Sequence, residues 1–173
     1  RNESTTEALV ALSQYPEVVR KLLTARGIHS AHDAEAFLNP DYIKDVYDPF
    51  LLLGMREAVS RITDAFQKNE HIAFFSDFDA DGIPAAVIMS DVMTKLGHTN
   101  FSVTIPHRNT EGFGLNEDAV TKFIDEKVNI VITLDCGMGD AHHVKRLTDA
   151  GIDVIVTDHH LPNHAVPEAF AIV

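Results

Sequence analysis

The sequence has no tryptophan, a single cysteine, and only 14 lysines and arginines against 26 aspartates and glutamates, for a formal charge of −12. Each shortage excludes something. One cysteine, Cys136, leaves no intrachain disulfide and no cysteine-rich zinc module, which fits a reducing cytoplasm. The scarcity of cations argues against a broad phosphate-tracking surface, so a polyanionic partner must be held locally by metals or by a basic surface outside this chain, and two bound divalent cations would still leave the chain acidic. No apolar run reaches the roughly 18 residues of a membrane span, and no charged start leads into an apolar signal segment, so the chain reads as soluble and cytoplasmic with no membrane partner. What remains is 173 residues, 45% of them apolar, enough for one well-cored domain plus a helical extension.

Residues 1–70 read as helical. Leu9, Val10 and Leu12, then Val18, Val19, Leu22 and Leu23, fall at helix spacing, with a break at Pro16 and a stop at Gly27. Ser30 has the character of an N-cap, with Asp33 in the first turn of a short helix that ends at Asn39-Pro40. Leu52, Met55, Val59, Ile62 and Phe66 form an apolar stripe opposite Arg56, Glu57, Arg61 and Gln67, a pattern that predicts a helix docked on a sheet. From residue 71 apolar, β-branched strands (71–76, 101–105, 129–134, 152–157) alternate with helices at about 83–96, from Asn116, and at 140–150. That alternation predicts an α/β fold: a parallel, Rossmann-like sheet flanked by helices over 71–173, preceded by a helical extension over 1–70 packing on it. Residues 169–173 resemble the start of one more strand, so the 71–173 domain is expected to be incomplete at its C-terminus and the chain a fragment.

The chemistry lies at the strand ends. Asp77, Asp79 and Asp81 stand on alternate positions after the first strand, Asp135 follows the third, and Asp158, His159 and His160 follow the fourth. Open α/β sheets bind ligands in the crevice beyond the carboxyl ends of their strands, and carboxylates gathered there are costly unless paired or metal-bound. Asp77 to Gly82 also resembles the start of an EF-hand loop. That reading fails because Ile88 stands where a bidentate Glu is required and a strand precedes the loop where a helix should. Gly82 instead permits a sharp turn from strand to helix. A neutral imidazole suits a borderline metal such as Mn²⁺ beside carboxylates, whereas Cys136, among hard oxygen ligands, is expected to pack. The strand ending at Ile105-Pro106 emits His107 and Arg108 and then a loop with Gly112 and Gly114. Arg108 reads equally well as a phosphate clamp or as a surface ion pair, and the two glycines let backbone approach a phosphate. His142, His143, Lys145 and Arg146 read as the solvated face of the helix after Asp135.

The ordered motifs Asp-x-Asp-x-Asp-Gly at 77–82, Asp-Cys-Gly at 135–137 and Asp-His-His at 158–160 resemble those of the DHH phosphoesterase superfamily. Five further stretches (26–28, 36–40, 48–52, 105–108 and 111–115) resemble the branch of it that degrades single-stranded DNA. The resemblance implies metal-dependent phosphodiester hydrolysis by a 5′-to-3′ exonuclease of DNA repair and recombination, with a helicase or single-strand-binding protein as protein partners. It implies two Mn²⁺ ions, with Mg²⁺ as an alternative. Asp79 and Asp135 would hold one ion and Asp81, Asp135 and His159 the other, Asp135 bridging and Asp77 supporting. Of the catalytic set His160, Asp135 and Asp158, His160 would touch the scissile phosphate while Asp158 orients its neighbours; His107, Arg108, Gly112 and Gly114 would meet the nucleic acid. One departure stands out: Pro84 occupies a position where the family usually has Thr or Ser, so a hydroxyl contact is lost although a helix's first turn tolerates Pro. A further ligand and the phosphate clamp are expected beyond residue 173, leaving the 173-residue chain weak in metal affinity and in cleavage. Other readings are a phosphodiesterase of oligoribonucleotides or cyclic dinucleotides, and a noncatalytic DHH-like binding module.

Overall fold

The structure, a computed structural model, describes residues 10–163 and 165–173; Leu9 and His164 lie outside them. Contacts divide the chain into two compact units, Arg1–Asp48 and Pro49–Val173. In the first, helices α1 (Glu17–Ala25) and α2 (Ala31–Leu38) close over a small core of Leu12, Leu23 and Ala34, with Tyr15, Val19 and Ile28 packed against it. The Ser30 hydroxyl caps α2 by accepting the Asp33 N–H at 3.0 Å, as the sequence suggested.

The second unit begins with a 3₁₀ turn (Pro49–Leu51) and helix α3 (Met55–Lys68). It continues through β1 (Ile72–Ser76), α4 (Gly82–Lys95), β2 (Phe101–Thr104), α5 (Glu117–Asp125), β3 (Ile130–Leu134), α6 (Ala141–Asp149), β4 (Asp153–Thr157) and β5 (Ala171–Ile172). All five strands are parallel, in the order β2-β1-β3-β4-β5. Alternation along the buried strands sends Ile72, Phe74, Ile130 and Ile132 to one face, under Ala58 and Ala65 of α3 and Ala86 and Met93 of α4. Ala73, Phe75, Val131, Val154 and Val156 go to the other, under Val120 and Phe123 of α5 and Val144 and Leu147 of α6. Phe74 and Phe75 are both fully buried, each contributing roughly 1.5–3 kcal/mol of apolar burial. Such a sheet, covered on both faces, explains why its central strands read as unbroken apolar runs.

Helix α3 docks on the sheet, as its apolar pattern predicts, and falls in the compact unit that begins at Pro49. Its buried stripe, however, is rotated: Val59 stays 39% exposed, and Ala58 and Ala65 go inside with Ile62 and Phe66 packed beside them. Two alanines let the helix approach the sheet closely, and the rotation carries Arg61, expected in solvent, to an almost buried position. There its Nη2 meets Glu70 at 2.7 Å and its Nε meets Asp153 at 2.5 Å, tying the end of α3 to the start of β4. His98 is buried close by, stacked on Phe66 with ring centroids 4.8 Å apart. Its Nε2 faces the Glu70 and Asn100 carbonyls at 3.1 and 3.2 Å and so carries the proton.

Candidate metal centre

Strand β1 leads into a helix on one side of itself through β2, and β3 then returns to the other side, so the strand order reverses between β1 and β3. Chain leaving the carboxyl ends of those two strands diverges and opens a crevice at this switch point. Asp77, Asp79 and Asp81 enter it from β1, Asp135 from β3, and Asp158, His159 and His160 from β4 alongside.

The turn after β1 is built by its own carboxylates. Asp77 is buried, and its Oδ1 accepts the Phe78 N–H at 2.7 Å. Asp79 Oδ1 accepts the N–H groups of Asp81 and Gly82 at 2.9 and 3.1 Å, which fixes the start of α4. Those two backbone bonds are the main reason its carboxyl lies below the ordinary range, and Arg108 adds to the effect. Gly82 is required for space: a Cβ there would lie 2.4 Å from the Asp77 carbonyl oxygen.

Asp135 is the joint of the site. It has a left-handed backbone, φ 61°, a conformation that aspartate and asparagine adopt more readily than other non-glycine residues. One carboxylate oxygen lies 3.0 Å from His159 Nε2, while the other is buried with no hydrogen-bond partner among the described residues. Burial first, and then the negative charge of Asp79, pushes its carboxyl above the usual range. Ligand atoms of Asp77, Asp79 and Asp135 lie within 4.8 Å of one another, and so do those of Asp135, His159 and His160. An orphaned, desolvated oxygen facing a like charge, with imidazole and hard carboxylate donors around it, fits a divalent cation at Asp135.

Asp158 organises the last motif. Although burial works to raise its pKa, the N–H groups of His160 and Met138, at 3.0 and 2.9 Å, together with the His160 ring, hold it below the ordinary range. His160 Nδ1 donates to Asp158 at 2.7 Å, which fixes its tautomer and raises its pKa. His159 and His160 lie with ring centroids 4.5 Å apart. A recess of about 570 Å³ opens here, lined by Leu52, Asp81, Asp135, Thr157, Asp158, His159 and Val173.

The loop after β2 forms the opposite rim. The Arg108 guanidinium sits over the Phe78 ring at 4.7 Å, close enough to Asp79 to act on its charge. His107 is exposed and turns back on its own loop, its Nδ1 3.2 Å from Thr110 Oγ1. Gly112 and Gly114 both have positive φ, and Phe113 between them meets the His160 ring edge to face at 5.4 Å.

Six of the residues singled out from sequence thus lie within one small volume: Asp77, Asp79, Asp135, Asp158, His159 and His160. Asp81 lines the recess but joins neither tight cluster. Cys136 points into the core, its thiol pushed well above the ordinary range by burial, so it packs. His142 and Lys145 face solvent, but Arg146 pairs with Glu117 of α5 and His143 is half-buried beside it, so that helix face is only partly solvated. Phe78, Phe113 and Asp140 went unnoticed as site residues. An aromatic between two aspartates or two glycines, and an aspartate at a helix start, carry no periodic signal.

An open parallel sheet with acidic and imidazole donors gathered at its switch point defines a metal-handling α/β domain. The DHH family, N-terminal domain, matches residues 71–173, and the chain belongs to that family. It is similar to the single-stranded-DNA-specific exonuclease RecJ of Bacillus subtilis (38% identical over 156 residues, covering 90% of this chain and 20% of that protein). RecJ of Escherichia coli is 31% identical over 173 residues, covering 100% of this chain and 29% of its own length. The chain therefore spans less than a third of the length of these curated relatives. Among solved structures, exonuclease RecJ bound to manganese superposes with a TM-score of 0.66 at 32% identity, over 73% of this chain and 32% of that one. No helix among the described residues is long and apolar enough to cross a membrane.

Proposed function

We propose that this chain carries the metal-binding part of a divalent-metal-dependent exonuclease that removes nucleotides from the 5′ end of single-stranded DNA. The observation that supports it most is Asp135: one carboxylate shared by two donor clusters, one oxygen unpartnered and buried. The solved relative bound to manganese, and the names of the curated relatives, support the metal and the substrate.

Asp77, Asp79 and Asp135 would hold one cation, and Asp135 with His159 the second, Asp81 facing the same recess as its further ligand. When bound, Mn²⁺ or Mg²⁺ would supply Lewis acidity and lower the pKa of a coordinated water. His160, its Nδ1 proton committed to Asp158, presents Nε2 to a phosphate oxygen; Asp158 fixes that ring and ties it to the Met138 backbone. Arg108, held on Phe78, meets the strand's phosphate with a planar fork of donors. His107 sits at the same rim, and Gly112 and Gly114 keep the loop backbone open to close approach. In repair and recombination such an enzyme would receive its strand from a helicase or a single-strand-binding protein.

End-labelled substrates test this. With the full-length protein and Mn²⁺, a 5′ label on a long single strand is expected to be released at once as mononucleotide, while a 3′ label survives until the strand is short. A blunt duplex should resist, and chelation should stop the reaction. Cleavage confined to dinucleotides or cyclic dinucleotides, with long strands untouched, would contradict the proposal in favour of a small-substrate phosphodiesterase.

A further inference from the structure

The recess at the metal centre has two unlike walls. Asp81, Asp135 and His159 line one, and Leu52 and Val173 line the other. Leu52 is 56% exposed, yet the turn that carries it is fixed. Its N–H donates to the Pro49 carbonyl at 3.1 Å, and its own carbonyl accepts the Met55 N–H at 3.3 Å, closing the turn into α3. The Arg56 guanidinium sits over the Phe50 ring at 5.0 Å, and Gly54, at φ 76°, lies so near β5 that a Cβ would overlap the Ile172 carbonyl oxygen. Val173 is held in a similar way: its N–H donates to the Val156 carbonyl at 2.8 Å, and its carbonyl accepts the Asp158 N–H at 3.2 Å. The wall across from the acids is thus apolar in its side chains, and the backbone donors and acceptors of both residues are already engaged.

Resting on the reading that the scissile phosphate lies at Asp135 and His160, we propose that the sugar adjoining it packs on Leu52 and that this wall makes the site select deoxyribose over ribose. A sugar joined to that phosphate has the acids on one side and, across a recess of about 570 Å³, Leu52 on the other. The 2′-hydroxyl is the group by which a protein tells RNA from DNA. Deoxyribose presents only C–H bonds at that position and loses nothing by turning them to leucine. A ribose hydroxyl there leaves water for a surface whose polar groups are already engaged, a desolvation cost without return. Such a wall rejects without a clash, so its discrimination is modest: an apolar pocket turns away an added hydroxyl by about 10²-fold.

The full-length protein with Mn²⁺ tests this on single strands that differ only in the sugars of the nucleotides flanking the first phosphodiester at the 5′ end: deoxyribose, ribose or 2′-fluoro. The readout is the ratio of kcat/KM between two strands, which does not depend on how much of an enzyme sample is folded. The wild type should prefer deoxyribose to ribose by about 10²-fold. It should cleave the 2′-fluoro strand almost as well as DNA, because that sugar shares the pucker of ribose but has no hydroxyl to desolvate. L52S and L52N, which offer the hydroxyl a partner, should each lower the preference to about ten-fold or less, while L52M should keep it. A preference unchanged in both polar variants, a wild type that treats ribose and deoxyribose alike, or one that rejects 2′-fluoro as strongly as ribose overturns the assignment to Leu52 and leaves the exonuclease reading standing. Absence of Mn²⁺-dependent cleavage of the all-deoxyribose strand defeats that reading and the sugar wall with it.

Discussion

Asp135→Asn should abolish tight Mn²⁺ binding and lower cleavage by at least about 10³-fold, the equivalent of the several kcal/mol of charge stabilisation that a bound cation supplies. Asparagine is the replacement of choice because it tolerates the left-handed backbone at φ 61° and retains an oxygen for His159. The fold should therefore survive, and in metal-free buffer near neutral pH the variant should melt higher than wild type. The sign follows from linkage. A carboxyl whose folded pKa is raised by burial and by Asp79 adds stability when protonated, below its unfolded value. It loses that contribution as pH rises through the folded value. Removing the charge should thus stabilise the metal-free protein above that window and make little difference in acid. Calorimetry with Mn²⁺ and melting curves against pH check both halves. A variant that still binds the metal tightly, or that melts lower at neutral pH, would show that Asp135 is a structural ion-pair partner of His159 and no shared ligand.

Gly82→Ala should be among the most damaging conservative changes in the sheet domain, and the one that bears on the metal centre. The added Cβ would stand 2.4, 2.7 and 2.9 Å from the carbonyl oxygen, carbonyl carbon and Cα of Asp77, all backbone atoms that have no rotamer to yield. Ser76 Oγ also bonds the Gly82 carbonyl at 2.6 Å, so the start of α4 is held from both sides and has little room to shift. Overpacking of this kind costs about 3 kcal/mol, roughly 6–12 °C in melting temperature for a chain of this size. Because Asp79 caps the same turn through Asp81 and Gly82, the strain falls on two proposed ligands, and Mn²⁺ affinity should drop along with stability. Gly97→Ala serves as the control: its φ of 76° is strained for alanine but nothing lies within 4 Å, so about 1 kcal/mol is expected with metal binding intact. Equal losses in the two variants would show that backbone strain, and no close approach to Asp77, governs this turn.

Much of this was legible in the chain because burial and charge act on sequence in the plainest way there. Strands β1 and β3 are buried on both faces and therefore read as unbroken apolar runs. An aspartate that ends such a run has only the crevice beyond the sheet to enter, so Asp77, Asp79, Asp135 and Asp158 could be placed together before any coordinates. The buried face of helix α3 is less legible because hydrophobicity ranks large apolar residues above alanine, while Ala58 and Ala65 matter for how closely the helix approaches. Arg61 reads as solvent-facing from sequence, since its two acidic partners are brought in only by the turn after α3 and by β4. Asp140 was legible as a helix start but not as a clamp. A capping aspartate and one that reaches across to accept the Leu115 N–H look alike until the loop is folded. Phe78 and Phe113 matter only through Arg108 and His160, partners that the fold alone brings near.

Diffraction from Mn²⁺-soaked crystals of the full-length protein, recorded at the manganese absorption edge, tests the shared-ligand arrangement most directly. Two anomalous peaks are expected, one among Asp77, Asp79 and Asp135 and one between Asp135 and His159, with both Asp135 oxygens engaged. A lone peak away from Asp135, or an Asp135 carboxylate still bound to His159 alone at saturating Mn²⁺, would contradict it.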